Sequence, residues 1–334
     1  MNTIRKLITL FSIAMVFTSV AGDYEPPRTF SGKPDLQGYW TNASLTKMER
    51  DPNYEQFGLV FPADRVPELT RNHPQVVRQL NDDNQVQGQI PDGSDLAAGR
   101  GYNSFWVDPG SQFAVVKGEV RTSMVTIPDS GVIPYSDSGR KLRRENRAKY
   151  SGVLSDEVSM GTEGPEARAL GERCIIGMGS TGGPPINNVR YNNMYQIIQT
   201  DGYIVLMVEM AHDVRIIPID SDHRPDALKP WLGDSIAHWE GDTLVVETIN
   251  LHPQQAERGY VAALSEQGKV IERFSRYSKG KILYEFEVTD PVYYEQTWGG
   301  EMSFNASATK VYEYACHEGN YGMLGILGGA RRLE

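Results

Sequence analysis

The chain has 334 residues, with 43 acidic against 33 basic side chains and a formal net charge of −10. A field of that sign makes nucleic acid and anionic membrane poor partners for the protein as a whole. With 40% hydrophobic residues, a sizeable core is expected and wholesale disorder is excluded.

Arg5 and Lys6 precede an apolar run over residues 7–17, and Ser19, Val20 and Ala21 supply a small-residue exit. A cationic start, a short apolar core and small residues before a cleavage point describe a secretory signal peptide. Residues 1–21 are therefore read as a signal peptide, and the protein as periplasmic or secreted. No later stretch approaches the ~20 apolar residues needed to span a bilayer, so no transmembrane segment is expected after cleavage. Residues 22–334 show no domain boundary and are read as one domain.

The two cysteines, Cys174 and Cys316, would meet an oxidising compartment after export, so a disulfide is expected. Its loop of about 140 residues is worth on the order of 5 kcal/mol in the chain-entropy treatment. Two buried free thiols, or a reactive thiolate at Cys316 beside His317, are the alternatives.

Along the chain, Gly38-Tyr39-Trp40-Thr41 opens a first strand, and short helices are expected near 62–69 and 73–80. Short β-branched or aromatic runs at 105–107, 112–116 and 121–127 are divided by the turn signals Asp108-Pro109-Gly110 and Lys117-Gly118. Ser138 is placed to cap a helix through Lys149 that crowds Arg140, Lys141, Arg143, Arg144 and Arg147 together. That cluster reads as a solvated face rather than an anion site. Residues 151–190 are a long polar loop region. Residues 194–200 and 203–210 form a hairpin about Asp201-Gly202, and further strands are expected at 214–219, 243–248, 270–277, 282–289, 293–298 and 309–315. Many strands without comparable helices between them indicate a mainly β protein with a few short helices. Its antiparallel sheet would close as a barrel or sandwich.

Walker, dinucleotide and His-Glu-x-x-His signatures are absent. The stretch Gly177-Met178-Gly179-Ser180-Thr181-Gly182-Gly183 lacks a following Lys, and Pro184-Pro185 disfavours a phosphate-binding helix after it. It reads as a flexible loop. The densest chemistry is Glu209-Met210-Ala211-His212-Asp213-Val214-Arg215. Counting by twos places Glu209, Asp213 and Arg215 on one strand face with Tyr203, Val205 and Met207. Two carboxylates beside a guanidinium suit an acid/base site; a structural ion pair inside a barrel is the alternative. His238 ends a strand before the turn Glu240-Gly241-Asp242, and Cys316-His317-Glu318-Gly319-Asn320-Tyr321 crowds polar groups after the last strand. The candidate catalytic residues are Glu209, His212, Asp213, Arg215, His238, His317 and Tyr321. No cofactor is predicted; His212, His238 and His317 are the groups that could hold a divalent metal.

Four segments carry a resemblance: 33–41, 216–220, His238-Trp239-Glu240-Gly241-Asp242-Thr243-Leu244-Val245-Val246-Glu247-Thr248, and 312–321 with Cys316-His317-Glu318-Gly319-Asn320. They resemble a large family of exported, uncharacterised bacterial β-rich proteins. The resemblance implies export and β-structure and brings no activity with it. Gly38-x-Trp40 also looks like the first strand of lipocalin-type (calycin) barrels.

Three functions are weighed. The first is an exported enzyme doing cofactor-independent acid/base chemistry (lyase, isomerase or hydrolase) on a small organic molecule or sugar fragment in the barrel mouth. Its 17 Tyr, 5 Trp and 10 Phe suit stacking on rings or sugar faces. The second is a periplasmic small-molecule binder, and the third a structural envelope protein. The first is preferred, because mixed ionisable groups in a cleft favour catalysis.

Overall fold

The structure, a computed structural model, describes residues 24–83, 110–150, 162–177, 179, 181–254 and 262–332. The stretch 1–21, expected to be a signal peptide, and the strand expected at 105–107 lie outside the described residues.

The described chain is mainly antiparallel β with few short helices. After β1 (Gly38–Thr41) come α1 (Val66–Arg71) and α2 (Pro74–Asp83), then β2 (Val115–Val116), β3 (Glu119–Val120), β4 (Val125–Ile127) and α3 (Asp137–Tyr150). Two meanders follow. The first is β5 (Met194–Gln199), β6 (Tyr203–Val208) and β7 (Val214–Pro218). The second is β8 (Asp234–Glu240), β9 (Thr243–Ile249), β10 (Lys269–Ser278), β11 (Lys281–Thr289) and β12 (Trp298–Ala306), before a tail that ends in α4 (Tyr321–Ala330). Among the described residues no helix is long and apolar enough to cross a membrane.

β1 pairs with both β5 and β12 and so joins the meanders into one sheet of order β7-β6-β5-β1-β12-β11-β10-β9-β8, with β4 added on β12. Every neighbour on that path is antiparallel. A path of nine alternating strands leaves its two ends, β7 and β8, running the same way. They meet at one parallel bridge, Ile219 with Ala237, where Asp220 N–H donates to the Ala237 carbonyl at 2.8 Å. The sheet is a nearly closed barrel with a seam.

Period-two alternation fills that barrel with side chains. Tyr195, Leu206, Val246, Phe274, Tyr284 and Phe304 are all buried inside it. The space left among Leu36, Ile204, Ile217 and Phe274 is about 10 Å³, at most one water. The ligand cup that a lipocalin-type opening implies is therefore packed shut. Trp40 anchors the base: its Nε1 donates to the Leu36 carbonyl at 3.0 Å, and the Arg276 guanidinium lies 5.5 Å above its ring.

Several expectations need correction. The segment 293–298 is a turn: Tyr294 N–H donates to the Asp290 carbonyl at 2.9 Å, and β12 begins only at Trp298. β12 itself is hidden in the sequence by Gly299 and Gly300. Glycine is needed there because β4 crosses close by, and a Cβ on Gly300 would lie 2.3 Å from the Met124 carbonyl oxygen. Residues 309–315 form no strand, since β1 and β11 already occupy both edges of β12. Of the long loop, 151–161 lie outside the described residues, whereas Thr181–Asn187 is buried throughout. The helix expected from Ser138 is α3, where Arg140, Lys141 and Arg144 are exposed and Arg143 lies 4.9 Å over the Tyr135 ring.

His73 precedes α2 as its cap, accepting the Gln75 N–H on Nδ1 at 3.3 Å while its ring packs edge-on against Phe113. Burial, helped by Lys47, holds its pKa below the ordinary value, and burial does the same to His252, whose ring stacks on Trp231 at 3.8 Å. In the unfolded chain both take up a proton near pH ~6.5, so below that pH the unfolded state binds more protons and stability falls as pH falls. We expect the melting temperature to drop between about pH 7 and pH 5.5, above the ordinary carboxylate range. His73→Asn, which keeps a cap acceptor, should shallow that slope; an unchanged slope in His73→Asn combined with His252→Phe would refute the assignment.

Candidate functional site

The segment 209–215 is not one strand. β6 ends at Val208, and the chain reverses through a 3₁₀ turn, Met210–His212, in which Ala211 and His212 adopt φ of 54° and 48°. Parity cannot be counted through a reversal. Glu209 therefore parts from Asp213 and Arg215, which point inward, opposite to Tyr203, Val205 and Met207.

Arg215 faces Leu206 in the β6–β7 register and enters the barrel interior. There it meets Glu272 of β10 in a two-pronged pair, Nη1–Oε1 at 3.0 Å and Nη2–Oε2 at 2.5 Å, with both side chains buried. Nη2 also donates to Ser235 and Thr248 hydroxyls, each at 3.1 Å, and Tyr284 O–H donates to Glu272 at 2.8 Å. Burial opposes the guanidinium's charge, but Glu272 outweighs it and raises the Arg215 pKa. Burial and then the Glu272 charge hold Tyr284 well above the ordinary phenol range, so it remains a donor. This is the structural-pair alternative, with Glu272 as the partner instead of Glu209 and Asp213.

The glycine-rich stretch expected to be a flexible loop is a plug over that pair (Met178 and Ser180 lie outside the described residues). Ile186 N–H donates to Tyr284 Oη at 2.8 Å, Tyr195 O–H to the Thr181 carbonyl at 3.0 Å, and Arg215 Nη1 reaches the Gly182 carbonyl at 3.4 Å. Asp213 holds the entry to the plug, its Oδ2 accepting Gly177 N–H at 2.8 Å. Gly183 has φ +75°, and a Cβ there would lie 2.9 Å from Arg215 Nη1. Composition marked these residues as turn formers; their actual use is close backbone approach to a buried charge.

The other candidates are dispersed. His212 is exposed beside the seam, its Nδ1 3.3 Å from the Tyr314 carbonyl. With Asp213 and Arg215 it lines a cleft of about 370 Å³ between β7 and β8. His238 is exposed on β8, Nε2 3.1 Å from Glu240 Oε1. His317 and Tyr321 are exposed on the tail. The expectation that Glu209, Asp213, Arg215, His238 and His317 surround one pocket is not met among the described residues. No group of three or more His, Cys, Asp or Glu is placed among them to hold a metal ion. Cys174 and Cys316 sit at disulfide distance, Sγ–Sγ 2.00 Å and Cα–Cα 5.8 Å, with no free cysteine left for nucleophilic work.

Sequence reading missed three polar groups. Glu272 carried a signal: in 270–274 it alternates onto the same face as Val270 and Phe274, a carboxylate on an apolar stripe. His223 gave none, yet its Nδ1 is 2.9 Å from Asp234 and its Nε2 3.4 Å from Glu247. His73 was passed over inside an expected helix.

Glu209 belongs to a different and larger cleft on the outer wall. Strand register builds its floor: Met194, Thr41, Asn305 and Lys281 stand side by side across β5, β1, β12 and β11. Residues 110–115, Tyr191–Asn193 and the tail residues Ser307, Thr309 and Tyr312 wall it, enclosing about 1240 Å³. Its lining mixes side-chain amides and hydroxyls with the apolar Ala43, Phe113, Ala114, Val115 and Met194, and holds Glu209 and Lys281 as its carboxylate and its ammonium. Glu209 is buried, with Oε1 accepting Asn192 Nδ2–H at 2.6 Å.

The Arg215–Glu272 reading makes a stability prediction. Arg215→Met leaves a buried carboxylate uncompensated and should cost about 3–5 kcal/mol. Arg215→Met with Glu272→Leu should regain roughly half or more of that loss, since the desolvation penalty goes with the second charge. Additive losses in a denaturant-based double-mutant cycle would show that the pair is not the unit.

No family model, no curated protein and no solved structure matches this chain.

Proposed function

We propose that the protein is an exported binding protein whose outer cleft takes a neutral, hydroxyl-rich ligand such as an oligosaccharide fragment. The observation that carries this reading is the cleft's chemistry: about 1240 Å³ in which amides and hydroxyls are interspersed with apolar and aromatic side chains. The amides and hydroxyls both donate and accept, as a polyol requires, and Tyr191 and Tyr312 offer ring faces for sugar stacking. The volume exceeds the ~300–1,000 Å³ of a pocket for one drug-sized molecule, which suits a ligand of two or more rings.

Binding is preferred over acid/base catalysis because of what the cleft's lining holds. Glycoside hydrolysis ordinarily uses two carboxyl groups about 5–9.5 Å apart. Among the described lining residues Glu209 is the sole carboxylate, and one of its oxygens is already engaged by Asn192. Arg215, which would stabilise developing charge in an enzyme, is committed to Glu272 inside the barrel.

Calorimetric titration of the purified chain with a panel of neutral oligosaccharides tests this. Saturable binding is expected, weakened ~10-fold or more by Asn305→Ala and by Tyr312→Ala with the melting temperature unchanged, and with the ligand recovered intact. Conversion of the ligand to product, abolished in Glu209→Gln, would establish the enzyme instead. No binding across the panel, or binding indifferent to both alanine variants, would remove the cleft from consideration.

A further inference from the structure

Two apolar surfaces of this chain are left open to solvent, and they complement one another. The first is α4. Its ten residues, Tyr321–Ala330, carry no charge, and Leu327 is its buried residue. Tyr321 and Leu324 are 79% and 76% exposed. A helix that is apolar all round belongs in a buried setting. Gly322, Gly325, Gly328 and Gly329 each weaken a helix relative to alanine, yet a Cβ at any of them would meet nothing within 4 Å. Nothing in this copy requires those glycines. Asn320, at the helix start, spends its side chain on the Glu172 carbonyl at 2.7 Å instead of capping the helix.

The second surface is the outer face of β5–β7. The register sets Ile198 beside Val205 and Val205 beside Ile216, Met207 beside Val214, and Tyr203 beside Pro218. Ile198, Tyr203, Val214 and Ile216 are all exposed. The opposite wall shows what a solvated outer face looks like here, with Arg273 paired to Glu285 and Ile271 to Glu287 across β10 and β11. The β5–β7 patch has no such charges.

We propose that these surfaces cover each other between two copies of the chain, α4 of one lying on the β5–β7 face of the other in a two-fold dimer. Dimensions agree: a ten-residue helix is about 15 Å long, and three strands at ~4.8 Å spacing present a face of similar width. Position agrees too. The tail is fixed beside the start of β7 by the Cys174–Cys316 pair and by the Tyr314 carbonyl at His212, two residues before Val214. The helix therefore leaves the barrel at the edge of the very face it would cover in a partner. Charge favours a second copy over a lipid surface: interfacial helices carry Lys and Arg around their apolar side. Here neither α4 nor the β5–β7 face carries one, the only flanking pair is Arg331-Arg332 at the helix end, and the chain is −10 overall. Both surfaces are themselves uncharged, so their contact sets no like charges face to face. Two reciprocal helix-on-sheet contacts would together have to bury the roughly 1,600 Å² of a standard interface. The inference is independent of the ligand cleft.

Sedimentation velocity of the purified chain from about 1 to 100 µM tests it, a range in which an interface of this size would be populated. A dimer is expected. Ile216→Lys and Gly325→Glu, both at positions open to solvent in the single copy, should each raise its dissociation constant ~100-fold while far-UV circular dichroism and melting temperature of the monomer hold. Mixing the two variants should recover association, because one of the two contacts then joins lysine to glutamate. A monomer throughout, or a dimer indifferent to both variants, would overturn the proposal. So would a monomer that floats with phosphatidylglycerol vesicles and loses that property in Gly325→Glu, which would make the bilayer the occupant.

Discussion

Two opposite charges enclosed in an apolar barrel set the terms for the rest of this molecule. Neither Arg215 nor Glu272 can be buried alone, since the desolvation cost of a lone ion far exceeds what packing returns. Each therefore fixes the other, and their remaining hydrogen-bonding capacity fixes Ser235, Thr248 and Tyr284. Tyr284 and Arg215 in turn hold Ile186 and Gly182 of the plug. Strands from both meanders and the buried segment Thr181–Asn187 thus meet at a single ion pair. Such pairs contribute little net stability once both desolvation costs are counted. What this one does is bind strands of both meanders to one point, even with Arg215 Nε buried and without a partner among the described residues.

A filled barrel moves recognition to the outside. Small barrels are either packed by side chains or kept open for one ligand. Here large aromatics, the ion pair and the plug take the interior. What the sheet offers instead is its outer wall, where register aligns Thr41, Asn305 and Lys281 beside Met194 in one row and the tail adds hydroxyls above them. The same tail ends in an uncharged helix. The tail thus connects the polar cleft with the apolar face of β5–β7, and both lie outside the barrel for the same reason.

How much of this was legible depends on whether the governing contact is local. β1 and the β5–β6 hairpin were readable because alternation and turn chemistry act within a few residues. The turn at Gly241, with φ 60°, was readable for the same cause. The disulfide was readable because the expected export and an even cysteine count leave few alternatives. The partner of Arg215 was not: Glu272 lies 57 positions away, and only strand order brings β7 opposite β10. The placement of Glu209 with Asp213 failed because two left-handed residues reverse the chain between them. The plug failed on composition, since glycine and proline announce an irregular backbone without saying whether it is buried. The outer cleft left no contiguous trace, being assembled from seven separate stretches of chain between Thr41 and Tyr312.

The odd strand number links these observations. With nine alternating strands, β7 and β8 cannot close the barrel by an antiparallel ladder, so β7 keeps an edge. Its odd-numbered residues bond to β6, as the Asp213 carbonyl does to Val208 N–H and Ile219 N–H to the Gly202 carbonyl. Val214 and Ile216 therefore aim their peptide groups at the seam, while Pro218 has no N–H to offer. Edge strands are safest when short, interrupted by proline or carrying an inward-pointing charge. β7 is five residues long, ends in Pro218 and carries Arg215 inward. The strand that lacks a ladder on one side is thus the strand tied by a buried charge across the seam to β10, past Ser235 of β8 and Thr248 of β9. Arg215 fastens the seam from within, which is why a residue that resembled an acid/base group in the sequence is better understood as the clasp of the barrel.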